Sequence, residues 1–254
     1  MSGLEGRHYL VTGGGSGIGR GTAEHIAAAG GRVSLVDLDG DAVTRVASAL
    51  DTTGEGALAF GLDVTDEAAL VDAISTAEER LGPLDGAVTS AGINIEADRV
   101  PLDDMTLDAF EQVVSVNLSG SFLVARHVLP RLADAGRGAF VFVSSTAGIR
   151  GGTGQGFGYT ASKGGLVSLA EHLASMYGSK GVRVNCICPG ATAGEGMGSF
   201  FQRPEANELV APRIPLARVG QAEEVGAVAA WLLCDEASYL TGQAIAVDGG
   251  VTAR

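Results

Sequence analysis

A five-residue strand pattern, His8-Tyr9-Leu10-Val11-Thr12, runs without a break into Gly13-Gly14-Gly15-Ser16-Gly17-Ile18-Gly19, and an alanine-rich helical stretch follows over about 20–29. Strand, glycine loop and helix in immediate succession admit few folds. The glycines permit a tight turn, let backbone N–H groups approach a pyrophosphate, and allow the helix to pack close to the strand. The order predicts the first β–α unit of a dinucleotide-binding sheet rather than a flexible turn. The next strand pattern, Arg32-Val33-Ser34-Leu35-Val36-Asp37, ends in a carboxylate 18 residues after Gly19. Such a unit sets an acid there to hydrogen-bond the ribose hydroxyls of NAD. The same charge repels a 2′-phosphate, and no arginine directly follows Asp37, so NAD is expected in preference to NADP.

Strand and helix patterns then alternate to the end of the chain. Strands are expected at 57–63, 84–89, 138–144, 183–188 and 243–248, and helices at 67–81, 106–132, 159–178 and 222–234. Repeated units of this kind imply a parallel sheet covered by helices on both faces. With no linker, composition break or internal repeat, the expectation is a single doubly wound α/β domain of Rossmann type over 1–254. The one long irregular stretch, about 190–215, carries Gly194, Gly196 and Gly198 beside Met197, Phe200 and Phe201. Apolar side chains on a glycine-hinged loop suggest a substrate lid.

The net charge of −13 opposes nucleic acid and anionic membranes as partners, because phosphate binding needs a basic surface. No apolar run reaches the ~18 residues of a membrane span, and the N-terminus lacks a signal-peptide core. Cys186, Cys188 and Cys234 form no CxxC pair, and His8, His25, His127 and His172 show no ligand spacing, so no metal site is expected. A reducing, cytoplasmic location follows from the same cysteine usage.

The chemistry gathers on one stretch. The apolar run Phe140-Val141-Phe142-Val143 ends in Ser144 and Ser145, and Tyr159 stands four residues before Lys163, on one helix face. For a phenol to work near neutrality its pKa must fall by ~3 units, about 4 kcal/mol, and a neighbouring ammonium has the right sign to lower it. Asn117 interrupts an apolar helical stripe with a side chain that competes for backbone bonds. Gly164 and Gly165 each cost ~1 kcal/mol in a helix, which a close approach of another element would justify.

Taken together these residues resemble the short-chain dehydrogenase/reductase family, in its compact form, from about residue 5 to the C-terminus. Its TGxxxGxG motif is matched by Thr12 to Gly19, its YxxxK by Tyr159 to Lys163, and its Pro-Gly by Pro189-Gly190; Val247-Asp248-Gly249-Gly250 is similar to its ending. The resemblance implies an NAD(H)-dependent oxidoreductase that interconverts a secondary alcohol and a ketone. Tyr159 would be the general acid and base, Ser145 would bind the substrate oxygen, Lys163 would also hold the nicotinamide ribose, and Asn117 would hold a water leading to Lys163. Cofactor contacts are implied at Gly13, Ser16, Gly17, Ile18, Gly19, Asp37, Asp63, Val64, Ser90, Ala91, Gly92, Tyr159, Lys163, Pro189, Gly190 and Thr192. A homo-oligomer, usually a tetramer, is also implied, with the helix after Tyr159 against a partner subunit.

Three positions depart from the family pattern. Ser90-Ala91-Gly92 replaces its Asn-Ala-Gly. Ser145 precedes Tyr159 by 14 residues, one more than in many members, which leaves Thr146 open as the catalytic hydroxyl. Gly194 stands where many members carry threonine, with Thr192 as the substitute. A 3-oxoacyl-thioester (acyl carrier protein) reductase and a non-catalytic NAD-binding sensor or scaffold are the alternatives; a serine hydrolase is not, for want of a GxSxG elbow. Arg150, Gln155, 93–98 and 197–201 are expected to line the pocket of a modest, largely apolar small-molecule alcohol or ketone.

Overall fold

Strand β1 (His8–Thr12) is buried at every residue, because it has a parallel neighbour on each side and helices above and below. The computed structural model describes residues 1, 3–51, 53–151 and 155–253. From β1 the chain builds outward through α1 (Gly17–Ala28), β2 (Arg32–Asp37), α2 (Gly40–Leu50) and β3 (Ala57–Gly61). It returns through α3 (Glu67–Leu81) to set β4 (Gly86–Thr89) on the opposite side of β1. Helices α4 (Leu107–Val114) and α5 (Ser121–Asp134), β5 (Gly138–Val143), the short α6 (Thr146–Ile149), α7 (Phe157–Tyr177) and β6 (Val182–Pro189) follow. The last part holds β7 (Thr192–Ala193), α8 (Pro204–Val210), β8 (Gly220–Gln221), α9 (Ala222–Leu233) and β9 (Ala244–Val247). The seven-stranded sheet is parallel throughout, in the order β3-β2-β1-β4-β5-β6-β9. The strand order reverses between β1 and β4, and the crevice at their C-terminal ends is where ligands bind in sheets of this kind.

Alternation along the strands feeds two cores. Tyr9, Val11, Val141 and Val143 face Ile26, Val225, Ala229 and Leu232 of α1 and α9. Leu10, Phe140 and Phe142 face Leu70, Ile74, Val124, Val128 and Leu166 of α3, α5 and α7. Both faces being covered, the strands read as nearly continuous apolar runs.

The differences from the sequence expectation have local causes. Helix α2 was not among the expected helices although its apolar residues fall on one face; it is started by Asp39, whose carboxylate accepts from the Ala42 N–H at 2.9 Å. The single helix expected over 106–132 is interrupted by a π-helical turn at Ser115–Gly120, centred on Asn117. The stretch 190–215 is largely ordered. β7 pairs with β8, a 3₁₀ turn covers Gly196–Gln202, and α8 begins on Pro204, a residue suited to a helix's first turn. A small cluster of Ala193, Ile214 and Val219, with Phe201 and Val210 against it, gives the segment its own core. Among the described residues no helix is long and apolar enough to cross a membrane.

Candidate active site

At the end of β1 the chain turns at Gly13 with φ +67°, and a Cβ there would lie 2.8 Å from the Ala91 nitrogen. Only glycine serves such a position. Helix α1 begins at Gly17 with Ser16 preceding it, and its first N–H groups have no acceptor within the helix. Ser16, Gly17 and Ile18 open onto a cleft of about 920 Å³. The loop is free of side chains where a backbone would have to come close to a phosphate group. Gly19 lies outside the lining and packs under Gly13, which is the close-packing role of a loop glycine rather than a contact.

The walls of the cleft suit the rest of a dinucleotide. Asp37 closes β2 with Oδ2 accepting from Gly15 N–H at 2.9 Å and Oδ1 from Asp39 N–H at 3.1 Å, so its carboxylate is oriented beside the glycine loop. Asp63 is oriented in the same way by Thr65. Val64, Ser90, Ala91, Gly92, Pro189, Gly190 and Thr192 complete the lining. Ser90 and Ala91 are held to β1, with Ser90 N–H on the Thr12 carbonyl and Ala91 N–H on the Thr12 hydroxyl.

Tyr159 is the third residue of α7, which starts two residues earlier than the sequence pattern suggests. The cause is a carboxylate from elsewhere in the chain. Asp98 is fully buried and accepts from the N–H groups of Gly158 at 2.7 Å and Tyr159 at 2.8 Å. One turn on, Lys163 is buried, and its Nζ donates to the Val143 carbonyl at 2.9 Å. Ser144 is spent on structure: its hydroxyl donates to the Lys163 carbonyl at 2.7 Å. Ser145 caps α6 by accepting from Ala147 N–H at 3.1 Å, and its hydroxyl is near enough to the Tyr159 phenol to lower the phenol's pKa. Thr146 also lines the cleft; of the two hydroxyls, that of Ser145 is the one that acts on the phenol.

Asn117 is fully buried in the π turn and absent from the cleft lining. Its Oδ1 accepts from Ile93 N–H at 2.7 Å, and its Nδ2 donates to the Ile93 carbonyl at 3.0 Å and the Ser162 hydroxyl at 3.3 Å. The amide therefore ties the loop after β4 to α7, the helix of Tyr159.

The electrostatics differ from the sequence expectation. Lys163 was expected to draw the phenol's pKa down; instead burial pushes Tyr159 up, opposed by the Ser145 hydroxyl and by the charge of Arg99. Lys163 is itself stripped of water, which lowers its pKa to about 8, and its Nζ lies 5.6 Å from the Tyr159 ring centre. Loss of water is the largest cause for both groups.

Several pocket expectations are corrected: Ile95, Glu96, Ala97 and Ser199 are outside the lining of the cleft, as are two more residues. Arg150 is outside the cleft and donates to the Thr252 carbonyl. Asp98 lies beneath the wall as a cap, not on it. Ile93, Asn94, Arg99, Gln155, Met197, Phe200 and Phe201 do line the end of the cleft beyond the glycine loop. The signal for Asp98 was available: Gly156 precedes α7 and offers no side chain to cap it, so the cap had to come from another segment. Gly165 meets the expected close approach, since a Cβ there would lie 2.9 Å from Leu118 of the π turn. Gly164 has ordinary space around it. Among the described residues no group of His, Cys, Asp and Glu could hold a metal.

Comparison with known proteins agrees with this geometry. A family model described as enoyl-(acyl carrier protein) reductase matches residues 13–252. The chain is 37% identical to 2-(S)-hydroxypropyl-CoM dehydrogenase 3 of Xanthobacter autotrophicus, over 98% of each protein. It is 38% identical to levodione reductase of Leifsonia aquatica, over 97% of this chain and 94% of that one. A 3-oxoacyl-[acyl-carrier protein] reductase from Brucella melitensis, solved with bound NAD, superposes with a TM-score of 0.88 at 34% identity, covering 97% of this chain and 91% of that one. With a glycine cradle, an acid on the second strand and a serine–tyrosine–lysine cluster at the switch point, the chain belongs to the short-chain dehydrogenase/reductase family and is an oxidoreductase with a nicotinamide cofactor.

Proposed function

We propose that the protein is an NAD(H)-dependent dehydrogenase that interconverts a secondary alcohol and a ketone. The convergence of Ser145, Tyr159 and Lys163 on the cleft that the glycine loop also lines carries this reading. The nicotinamide, when bound, gives or accepts the hydride. Gly13, Ser16, Gly17 and Ile18 hold the pyrophosphate, Asp37 the adenosine ribose, and Asp63 and Val64 the adenine side. Ser90, Ala91, Gly92, Pro189, Gly190 and Thr192 flank the nicotinamide half, Gly19 packs the loop, and Lys163 with Tyr159 takes the second ribose.

In the reductive direction Tyr159 Oη delivers a proton to the substrate oxygen, and Ser145 Oγ donates a hydrogen bond that strengthens as charge develops there. Lys163 keeps a positive charge beneath the phenol. Asn117 braces the loop that faces the substrate and, through its backbone, holds a water that links Lys163 to solvent. Residues 190–215 act as a lid, with Met197, Phe200 and Phe201 its apolar inner surface.

NAD is favoured over NADP because Asp37 would repel a 2′-phosphate and Leu38, 76% exposed beside it, offers no cation. A 3-oxoacyl-thioester reductase is the second reading, supported by the likeness to the Brucella protein. The reducing chemistry of three free, buried cysteines supports a cytoplasmic location. Exposed apolar residues on α5 and α7, Phe122, Phe157 and Met176, support self-association, with a tetramer as the family's usual form.

Tyr159→Phe tests the assignment. Turnover of ketones with NADH should fall at least about a hundredfold while NADH binding, followed by fluorescence, is retained. Undiminished activity in this variant would remove Tyr159 from the mechanism.

A further inference from the structure

The charges of the cleft are unevenly distributed. Asp37, Asp39 and Asp63 lie at the glycine-loop end, and Glu195 is paired with Arg20 at 2.8 Å. Among the described residues two cations line the cleft, Lys163 and Arg99. Lys163 is buried and engaged with Val143. Arg99 is solvent-facing, and its charge acts on the Tyr159 phenol.

Arg99 is also held in position. It follows Asp98, whose buried carboxylate is bound to the first turn of α7, so its backbone is fixed relative to Tyr159. Its Nε donates to Asn94 Oδ1 at 3.1 Å. Among the described residues it takes part in no ion pair. A guanidinium has five N–H donors in a planar fork, and Asn94 uses the one on Nε, which orients the plane and leaves both Nη groups unused among the described residues. Such a fork matches the two oxygens of a carboxylate, or those of a sulfonate or phosphate. In a chain of net charge −13, this guanidinium gives the Tyr159 end of the cleft a positive charge, opposite in sign to the acids at the glycine-loop end.

We propose that Arg99 receives an anionic group on the substrate, so that the enzyme acts on oxo-acids or hydroxy-acids rather than on neutral ketones and alcohols. This rests on the dehydrogenase reading above and narrows its substrate class. The carbonyl or hydroxyl sits at Ser145 and Tyr159, the acid group at Arg99, and the linking carbons against Met197 and Phe200. The modest, largely apolar alcohol or ketone expected from the sequence thereby gains an anionic end.

The test uses matched pairs: 3-oxobutanoate, 4-oxopentanoate and 5-oxohexanoate, each against its methyl ester. Binding to the enzyme saturated with NAD⁺ is followed by calorimetry, where no reduction occurs. At least one acid should bind about tenfold or more tightly than its ester, the scale of a charge-assisted hydrogen bond. Arg99→Gln should bring the acid-to-ester ratio close to one, and Arg99→Lys should keep part of it. Equal or tighter ester binding in every pair, or an acid preference that survives Arg99→Gln, would overturn the proposal. Turnover with NADH is read separately. An acid that binds through Arg99 but is never reduced would count against the dehydrogenase reading and leave the anion site standing.

Discussion

The carboxylate of Asp98 accepts the backbone N–H of Tyr159 at 2.8 Å, across 61 residues of sequence. Its second oxygen takes the N–H of Gly158 at 2.7 Å. Two of the orphan donors at the start of α7 are thereby satisfied by one buried acid. A negative charge at a helix N-terminus is also favoured by the dipole. Gly156 and Gly158 pack against this carboxylate; a Cβ at 158 would stand 3.1 Å from Oδ1. The start of α7 and the loop that bears Arg99 are thus one unit.

Asp98→Ala should therefore cost about 2–4 kcal/mol of stability, since it strands two buried N–H groups. Asp98→Asn keeps one acceptor and should cost less. In both variants kcat should fall more than NADH affinity, because the glycine cradle is built on β1 and α1, away from the cap. Urea unfolding with NADH titration checks both. A loss of NADH binding in step with kcat would show general disruption instead.

Most of the fold was legible because it repeats one local rule, apolar strand then amphipathic helix, and the glycine loop fixes where the rule begins. The motif residues were legible for a similar reason: Tyr159 and Lys163 are four apart, so helical geometry alone brings them together. What the sequence hid depends on distant contacts. Asp98 looks like any loop acid until α7 is seen to lack a cap of its own. The order within 190–215 comes from pairing with β8 and from Ile214 and Val219, which no local pattern signals. The sign of the Tyr159 shift was misread because spacing reports the neighbouring charge but not the loss of water.

Asp37 should decide cofactor choice. Asp37→Ser removes the repulsion of a 2′-phosphate, and Leu38→Arg, at an exposed position beside the cleft, adds a cation to receive one. The double variant should exchange preference, with kcat/KM for NADPH rising and that for NADH falling, each by about tenfold or more. Steady-state kinetics with both cofactors decide it. An unchanged NADH preference would mean that Asp37 does not read the ribose.

Lys163 should give the enzyme an alkaline limit. Burial lowers its pKa from 10.5 to about 8, so the ammonium is lost as pH rises through 8, while the phenol, held up by burial, stays protonated there. kcat/KM for reduction should fall with pH above about 8, as the free enzyme loses an essential charge. Stability should move the other way. Between about 8 and 10.5 the unfolded chain binds the proton and the folded chain does not, so this group makes stability rise with pH. Below 8 both states are protonated and the full cost of burying the charge stands. Lys163→Met should abolish that dependence and turnover together, with a net gain of about 1–2 kcal/mol near neutrality after the Val143 carbonyl loses its partner. A destabilised Lys163→Met protein would contradict this account of the buried ammonium.

Arg20 and Glu195 should govern cofactor release. Arg20 stands on α1 and Glu195 in the segment 190–215, joined at 2.8 Å, and the Glu195 carbonyl lies 3.1 Å from where a Gly17 Cβ would stand. Gly196, with φ +70°, passes so close to Ser16 that a Cβ there would be 3.0 Å from its hydroxyl. The segment therefore lies across the phosphate cradle, and the ion pair pins it there. Both side chains are partly exposed, so the pair adds only a few tenths of a kcal/mol to about 1 kcal/mol of stability, and Glu195→Gln should leave the unfolding midpoint nearly unchanged. The cofactor off-rate, measured by stopped-flow displacement of NADH, should increase several-fold because opening no longer breaks an ion pair. If release limits turnover, kcat for reduction of a ketone rises with it; if chemistry limits turnover, kcat is unchanged and only the affinity for cofactor falls. Arg20 also reaches Glu24 at 3.4 Å and Glu223 at 3.7 Å. Arg20→Gln should therefore speed release more than Glu195→Gln, since it removes the positive charge that those acids share. An off-rate unchanged in both variants would show that the segment is held by packing of Phe201, Ile214 and Val219 rather than by charge.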